Sequence, residues 1–447
     1  MIQKRLSLLL FLSCCALYAQ REWSLNDCIQ YALKHNLNLD NEKYNVAAAK
    51  ETKRQSIRSL LPNINASSGY NVSYGRAINP DDNSYVTTSF FSNSYNISSS
   101  INLFNGFSKW HEIKTNALLL QVAQENEKYQ RYILALQIME EFYAVKYSKE
   151  LYNLQQLIAK SSQTNYQLVS KKLDLGMVAK TDLYDAKTSL LNDELSITQA
   201  YNTWQNAKLQ LLQDMNIEDA VNNIKFKEIL IPIEDKKYDA TTIYNEASVS
   251  FPSIKASILG LGASKKQLSI AKARLYPSLY FSAGYGSGYY ETREDVSGNI
   301  ISFKEQLQNN ANGYISFSLN IPISNAWSTH SAIKQRKIYI KQQENEVKLS
   351  KQAVFKAIQQ LVQEHNALLT EYKRITEALK AQELTFFSAQ KKFDKGLIDM
   401  ILLQKAKEDL QNIQINQLNV KYKLKVNEAY LSIYKGVSIF NDVKTNN

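Results

Sequence analysis

Two long stretches that contain neither glycine nor proline constrain the fold of this chain more than any other feature. They lie between Gly106 and Gly176 and between Pro322 and Gly396. Helix interiors exclude both residue types, because proline removes a backbone donor and glycine costs conformational entropy. In the first stretch apolar side chains recur at steps of three and four, at Tyr129, Tyr132, Leu136, Met139, Tyr143, Tyr147, Leu151, Leu154 and Ile158. Each stretch therefore predicts one long helix.

The predicted helices cover about 109–173 and about 328–394. A helix over the first range would be roughly 100 Å long at about 1.5 Å per residue, which is longer than a single globular domain. A rod of this length must lie beside other helices, in a coiled coil or in a barrel of helices.

The sequence is internally duplicated. "KKLDLGMVAKTDLYDAK" at 171–187 aligns with "KKFDKGLIDMILLQKAK" at 391–407, glycine on glycine, and "PNINASSGY" at 62–70 aligns with "PSLYFSAGY" at 277–285. Glycine suits a chain that reverses direction in a left-handed conformation, so return helices are predicted at about 178–214 and 398–435. Each half reads as helix, strand, strand, long helix and return helix.

This pattern predicts four parts along the chain. They are a signal peptide at 1–19, a first repeat at 20–217, a linker at 218–240 and a second repeat at 241–447. Short helices are predicted near the start of each repeat, at about 25–35 and 240–250. Proline at Pro62 and Pro277 is expected where a helix gives way to a strand.

Four predicted strands, at about 63–75, 94–104, 278–290 and 312–322, alternate apolar residues with Asn, Ser and Gly. The apolar positions, Leu103 among them, are expected to form one face. Those assigned to lipid contact are Ile64, Tyr70, Val72, Tyr95, Ile97, Ile101, Leu279, Phe281, Tyr285, Ile315, Phe317 and Leu319. A half-buried sheet of a soluble domain also alternates. The small polar face and the aromatic residues near the strand ends favour a transmembrane β-barrel.

Four strands cannot close a barrel, and open sheet edges are not viable in lipid. The barrel must therefore be shared, and three chains would give twelve strands, an even number within the known range. The polar hairpin tips between the paired strands are expected to face the outside of the cell.

The N-terminal residues have the pattern that is typical of an export signal. Lys4 and Arg5 precede an apolar run that ends near "LYA", and the alternative is a lipoprotein modified at Cys14 or Cys15. After cleavage only Cys28 remains, which excludes an intramolecular disulfide. The net charge of +11 is spread along polar helical segments, which argues for a solvated surface and against nucleic acid.

The arrangement resembles the TolC family of outer-membrane efflux channels over essentially the whole mature chain. The resemblance is carried by the duplicated proline-led strands, by "INLFNGF" at 101–107 and by "LGMVAKTDL" at 175–183. It implies a mainly α fold with a small transmembrane β part, in which duplicated helical hairpins and four strands trimerise into a 12-stranded β-barrel and a 12-helix periplasmic α-barrel. It also implies an outer-membrane exit duct for small molecules or type I secretion cargo in a Gram-negative bacterium, with a periplasmic adaptor and an inner-membrane pump of RND or ABC type as partners.

By position, the resemblance places adaptor-docking tips at the two helical turns. The residues are Gly176, Val178, Thr181, Asp182, Leu183, Gly396, Leu397, Ile398 and Leu403. The second tip departs from the family pattern: Ile398, Leu402 and Lys405 stand where well-known members have a basic residue and two aspartates. Asp182 is therefore expected to lack a cationic partner. A periplasmic constriction of Leu402 and Lys405 would not be an acidic, cation-selective gate.

No residue pattern in the sequence argues for catalysis, a cofactor or a metal. The four histidines are scattered without metal-ligand spacing, and GxSxG, Walker and HExxH motifs are absent. The competing interpretation is an exported coiled-coil adhesion or scaffold protein, which explains the helices but not four barrel-type strands at equivalent helix ends.

Overall fold

The computed structural model describes residues 22–78, 83–87, 89–218, 224–228 and 232–436. The expected signal peptide at 1–19 lies outside these residues, as does part of the expected linker at 218–240.

Corresponding helices in the two halves of the duplication have the same lengths. In the first half, helices of 11, 22, 67 and 35 residues follow in order, and the second half has helices of the same four lengths. The first four are α1 (Leu25–His35), α2 (Leu37–Arg58), α3 (Ser108–Asp174) and α4 (Lys180–Asp214). Their counterparts are α5 (Ala240–Ser250), α6 (Pro252–Ala273), α8 (Ser328–Asp394) and α9 (Met400–Tyr434), and the short α7 (Phe303–Asn309) falls between two strands of the second half.

The sequence did not predict α2 and α6. Each follows a single extended residue, Asn36 or Phe251, that ends the preceding helix. The Asn36 side chain accepts from the Leu39 amide at 3.1 Å and so begins α2, whereas Pro252 occupies the first turn of α6, where its missing N–H costs nothing. Most of α2 is exposed and its sequence is rich in polar and charged residues, so it lacks the apolar stripe that would have revealed it.

The strands form one main sheet and two small pairs. The strands are β1 (Glu22–Trp23), β2 (Asn63–Ser73), β3 (Arg76–Ile78), β4 (Tyr85–Thr87), β5 (Phe90–Asn105), β6 (Lys225–Phe226), β7 (Ser278–Tyr290) and β8 (Asn312–Asn320). The main sheet is antiparallel in the order β2-β5-β7-β8. A parallel pair joins β1 to β6, and β3 pairs with β4.

The segment between β7 and β8, predicted only as a polar hairpin tip, contains the helix α7. The buried side chain of Gln306 fastens this helix to the end of β7. Its amide oxygen accepts from the Tyr290 N–H at 3.0 Å, and its amide nitrogen donates to the carbonyls of Tyr290 and Ile301 at 3.0 and 2.9 Å.

The chain divides into two compact units, each of which takes residues from both halves of the duplication. Among the described residues, the first unit lies within 22–44, 125–255 and 348–436, and the second lies within 45–124 and 256–347. The first unit holds the main apolar clusters, one around Phe142 and Leu211 and another around Ile254 and Ile358. Burial of such side chains, at about 25 cal/mol per Å² of apolar surface, stabilises its helices.

In the second unit α6 packs against the starts of both long helices. A Cβ at Gly262 would lie 3.5 Å from the Leu118 Cδ1 atom of α3, and Arg336 of α8 donates to Gln267 of α6 at 2.9 Å. The glycine thus permits ordinary van der Waals contact between α6 and α3.

Candidate functional site

The register of the main sheet places all twelve residues assigned to lipid contact on one face. Directly opposed residues of an antiparallel pair point to the same side. Ala66 opposes Ile97, Ile97 opposes Tyr285, and Ala283 opposes Ile315, and the other assigned positions follow at intervals of two along each strand. The apolar face is therefore continuous across four strands that come from both halves of the chain.

The opposite face is small and polar over most of its area. It carries Asn65, Ser67 and Gly69 on β2 opposite Ser98, Asn96 and Ser94 on β5, and Ser282 on β7 opposite Ser316 on β8. A few aromatic residues also lie on this face, and glycine makes room for the ring of Tyr314. A Cβ at Gly284 would lie 2.5 Å from the ring of the opposed Tyr314. A face of this composition suits contact with water.

Aromatic rings form rows on the apolar face near the strand ends. Tyr70 stacks on Phe91 at 5.6 Å between centroids, and Phe91 contacts Tyr289 at 5.2 Å, so one row crosses β2, β5 and β7. Toward the other end, Phe281 lies 5.1 Å from Phe317. Such rows are typical of the interfacial girdles of membrane barrels.

One prediction about this face is wrong. Simple alternation put Leu103 on the apolar face, but the pairing with β7 shifts between Asn102 and Phe104. Phe104, not Leu103, opposes Leu279. A β-bulge inserts one extra residue and resets the alternation after it, and no residue type in "INLFN" marks its place.

Both outer edges of the main sheet are without a partner strand among the described residues. β2 pairs only with β5 and β8 only with β7. Their outer backbone N–H and C=O groups therefore have no ladder bonds, which in lipid would cost several kcal/mol per group.

The two tips are the turns that join α3 to α4 and α8 to α9, and they have the same backbone. Gly176 and Gly396 adopt φ values of +69° and +72°. In the first tip the Gly176 N–H donates to the Leu173 carbonyl and the Met177 N–H to the Lys172 carbonyl, both at 2.8 Å. The second tip repeats this pattern at Gly396 and Leu397, and glycine in the left-handed position makes both turns Schellman motifs.

Several predicted docking residues pack inside their own chain. Val178, Leu183 and Ile398 are half-buried against an apolar cluster of α3, α4, α8 and α9 that contains Phe393 and Met400. Leu403 belongs to that cluster and is only 3% exposed. Its assignment to the docking surface is therefore wrong, because helical periodicity turns this position toward the other helices of the hairpins.

The exposed apolar residues of the tips are partly different from those predicted. Leu397 is 69% exposed, as a docking residue requires, and Leu175, Met177 and Ile401 are similarly exposed. None of these three was predicted, although Leu175 and Met177 flank the turn glycine Gly176 and Ile401 lies in the first turn of α9. Of the predicted docking residues, Gly176 and Thr181 are also exposed.

Asp182 bonds within its own turn. Its carboxylate accepts from the Ala179 N–H at 3.0 Å and so caps the start of α4. A cation links the tips elsewhere: the Lys172 ammonium donates to the carbonyls of Phe393 and Asp394 at 3.2 and 3.3 Å and lies 4.7 Å from the centre of the Phe393 ring. These contacts place positive charge at the C-terminus of α8, where the helix dipole favours it.

The two residues of the expected constriction, Leu402 and Lys405, are both exposed on α9. Two residues farther on, Lys407 lies in a polar cluster with only 13% of its side chain exposed. It pairs with Asp193 of α4, donates to Ser189 at 3.0 Å, and contacts Ser162 of α3, which donates to Asp193 at 2.6 Å. This cluster joins three helices, and no residue pattern in the sequence predicted it.

Within the described residues, no group of three His, Cys, Asp or Glu side chains is arranged to hold a metal ion. Nor does any described helix combine the length and the apolar character needed to cross a membrane.

The sequence profile described as outer membrane efflux protein matches residues 28–216 and 243–436, one segment in each half of the duplication. A search of curated protein sequences finds no match.

Solved structures share the fold at low sequence identity. CusC, in a study of its folding and transmembrane channel formation, has 16% identity and a TM-score of 0.76, and the match covers 94% of this chain and 95% of CusC. The outer membrane protein VceC of Vibrio cholerae has 14% identity and a TM-score of 0.77, with 92% and 96% covered. The CmeC outer membrane channel of Campylobacter jejuni also has 14% identity and a TM-score of 0.77, with 92% and 86% covered.

Proposed function

This chain belongs to the outer membrane efflux protein family, and from that premise we propose that it forms one third of a passive, trimeric exit duct. The duct would cross the outer membrane of a Gram-negative bacterium as a 12-stranded barrel and extend into the periplasm as a barrel of twelve helices. The family and the fold already make the chain an outer-membrane efflux component. The trimer and its partners are the proposal.

The observation that carries the trimer is the main sheet, which is apolar on one face and has no further strand at either edge among the described residues. Pairing β8 of one copy with β2 of the next would satisfy both edges at once. Three copies would then close the sheet with twelve strands. The twelve assigned residues would face lipid, and the Asn-, Ser- and Gly-rich face would line the duct.

The duplication supplies a second, more specific argument. Counted from Pro62 and Pro277, Ala47 of α2 is the equivalent of Gly262 in α6; counted from Gly176 and Gly396, Ile338 of α8 is the equivalent of Leu118 in α3. Within one chain Gly262 packs on Leu118. Both Ala47 and Ile338 are instead exposed, Ile338 at 52%. In a closed ring, Ala47 of one copy could pack on Ile338 of the next copy. That contact between copies would repeat the contact that Gly262 and Leu118 make within each copy.

Disulfide crosslinking tests this arrangement. In protein that carries Ala47→Cys and Ile338→Cys together, oxidation should produce covalent dimers and trimers, and either single variant should not. Cys28 does not compete, because burial raises the pKa of its thiol to about 12.

A matched control pairs Ala47→Cys with Lys337→Cys, whose side chain points about 100° around α8 from that of Ile338. Native mass in detergent gives the independent measure of assembly. A soluble monomer with no crosslink would overturn the duct and leave the exported scaffold as the better interpretation.

We further propose that the tips dock a periplasmic adaptor that is linked to an inner-membrane pump of RND or ABC type. The exposed apolar residues Leu175, Met177, Leu397 and Ile401 support this, since a patch of this kind is typical of protein contacts. Gly176, Val178, Thr181, Asp182, Leu183, Gly396 and Ile398 would shape the two turns that present the patch. Replacing Met177 and Leu397 with serine should abolish adaptor capture by the purified trimer, and unchanged capture would refute the assignment.

The constriction is assigned to Leu402 and Lys405. Both are exposed side chains of α9 near its tip, and the only charge they bring is positive. At these two positions the proposed duct therefore has no acidic ring of the kind that would make it strongly cation-selective. Its cargo would be small molecules or a secreted protein.

A further inference from the structure

We propose that a groove between α3, α8 and α9 in the first unit is a binding site for an organic cation with apolar substituents. This groove, called the tyrosine groove, has a volume of about 500 Å³, within the range of small-molecule sites. The groove is lined by carboxylates and aromatic rings, among them Glu140, Tyr143, Tyr147, Glu364, Tyr422 and Tyr430. The proposal does not depend on the trimeric duct.

Each of the two carboxylates that line the groove accepts a hydrogen bond from a neutral side chain. The Tyr430 hydroxyl donates to Glu140 Oε2 at 3.1 Å, and the Asn427 amide donates to Glu364 Oε2 at 3.3 Å. Among the described residues, neither carboxylate has a cation within ion-pair distance. A positively charged ligand would therefore give both carboxylates the ion-pair partner that they lack.

The walls between the carboxylates are aromatic. Tyr422, which is 5% exposed, lies 6.3 Å from Tyr143 and 6.1 Å from Tyr147 between ring centroids. Its hydroxyl donates to Glu150 at 2.7 Å, which fixes the ring. Aromatic faces attract cations within about 6 Å of the ring centre, and they also offer apolar surface to the ligand's substituents.

A buried polar atom at the groove also points to a ligand. Asn427 lines the groove and is 3% exposed, and its Oδ1 atom has no hydrogen-bond partner among the described residues. Buried polar atoms are nearly always satisfied. The partial negative charge of this oxygen adds to the preference for a cation.

Lys423 also lines the groove and is exposed. Its charge opposes the proposed ligand, so it gives the proposal a variant that must act in the opposite direction. Replacing Glu364 by glutamine should weaken binding, whereas replacing Lys423 by glutamine should strengthen it.

The experiment measures the binding of tetraphenylphosphonium to the purified full-length protein in detergent by isothermal titration. Tetraphenylborate, of nearly the same size and shape with the opposite charge, is the matched control ligand. The cation should bind at least about tenfold more tightly than the anion, and Glu364→Gln should lose about tenfold in affinity for the cation.

Tyr147→Leu should also weaken binding, because it keeps apolar bulk but removes an aromatic face. Glu383→Gln, at an exposed carboxylate of α8 outside the groove, should have no effect. Equal affinity for both ions, or an unchanged affinity in Glu364→Gln, would overturn the proposal, as would the absence of saturable binding.

Native mass is recorded on the same samples. A trimer that does not bind the cation would refute only the proposed cation site in the tyrosine groove. A monomer that binds the cation would refute only the proposed trimeric duct.

Discussion

At the scale of single residues, two lysines two positions apart in α9 have different environments. Lys407 lies among Ser162, Ser189 and Asp193 and is largely buried, whereas Lys405 is exposed. Removing one partner of a buried ion pair leaves the other charge unpaired, while an exposed lysine without structural contacts contributes little to stability.

Lys407→Met should therefore destabilise the helical hairpins by about 3 kcal/mol, because Asp193 keeps its charge without a cation. Lys405→Met should change the free energy of unfolding by less than about 0.5 kcal/mol. Chemical denaturation followed by circular dichroism measures both.

Lys405→Met should also change the ion selectivity of the proposed duct. Single-channel recordings should show higher cation selectivity for Lys405→Met, because the variant removes the positive charge assigned to the constriction. If Lys405→Met left selectivity unchanged, Lys405 would not line the narrowest part of the duct.

At the scale of elements, the duplicated junctions before the long helices solve one backbone problem in two ways. Gly106 and its equivalent Ala326 both have positive φ, +65° and +49°. A Cβ at Gly106 would lie 2.4 Å from the Ala273 carbonyl oxygen. Only glycine fits the first junction, whereas the second tolerates alanine at a cost in conformational energy.

Opposite signs are therefore expected at equivalent positions. Gly106→Ala should destabilise by more than about 2 kcal/mol, because the left-handed penalty of about 1–2 kcal/mol adds to a collision with backbone. Ala326→Gly should be neutral or stabilising, because glycine adopts this conformation freely. Thermal denaturation of the two variants decides the matter, and equal destabilisation would show that the junctions are not equivalent.

At the scale of the whole molecule, the two faces of the main sheet must meet different surroundings if the chain forms a barrel. Ile315 and Ser316 are neighbours on β8 that point to opposite faces, since they oppose Ala283 and Ser282. They form a matched pair for a single added charge.

Ile315→Lys should abolish recovery of the trimer from the outer-membrane fraction, because a lysine facing lipid near the bilayer centre costs about 2–4 kcal/mol in each copy. Ser316→Lys should leave the trimer intact and lower its cation conductance. Native mass and single-channel recording measure the two effects. Equal loss of the trimer in both variants would argue for an ordinary packed sheet.

Local patterns were sufficient for much of the fold. The long helices begin and end within one residue of the ranges that the missing glycines and prolines predicted, since helix boundaries follow from such local breakers. The turn glycines were recognisable for the same reason: a left-handed residue is a local requirement. Alternation assigned the twelve apolar positions to one side of their strands, because side-chain direction in a strand has a period of two.

The tertiary structure alone decided which of these residues meet. In the folded chain Leu403 is buried and Leu103 lies outside the apolar face. Lys407 contacts Asp193, and the ring of Tyr422 lies beside that of Tyr143. These pairs are far apart in sequence, and each depends on how separate helices or strands are rotated and staggered against one another. Composition and periodicity specify each element's own faces, but the free energy of packing between elements selects their partners.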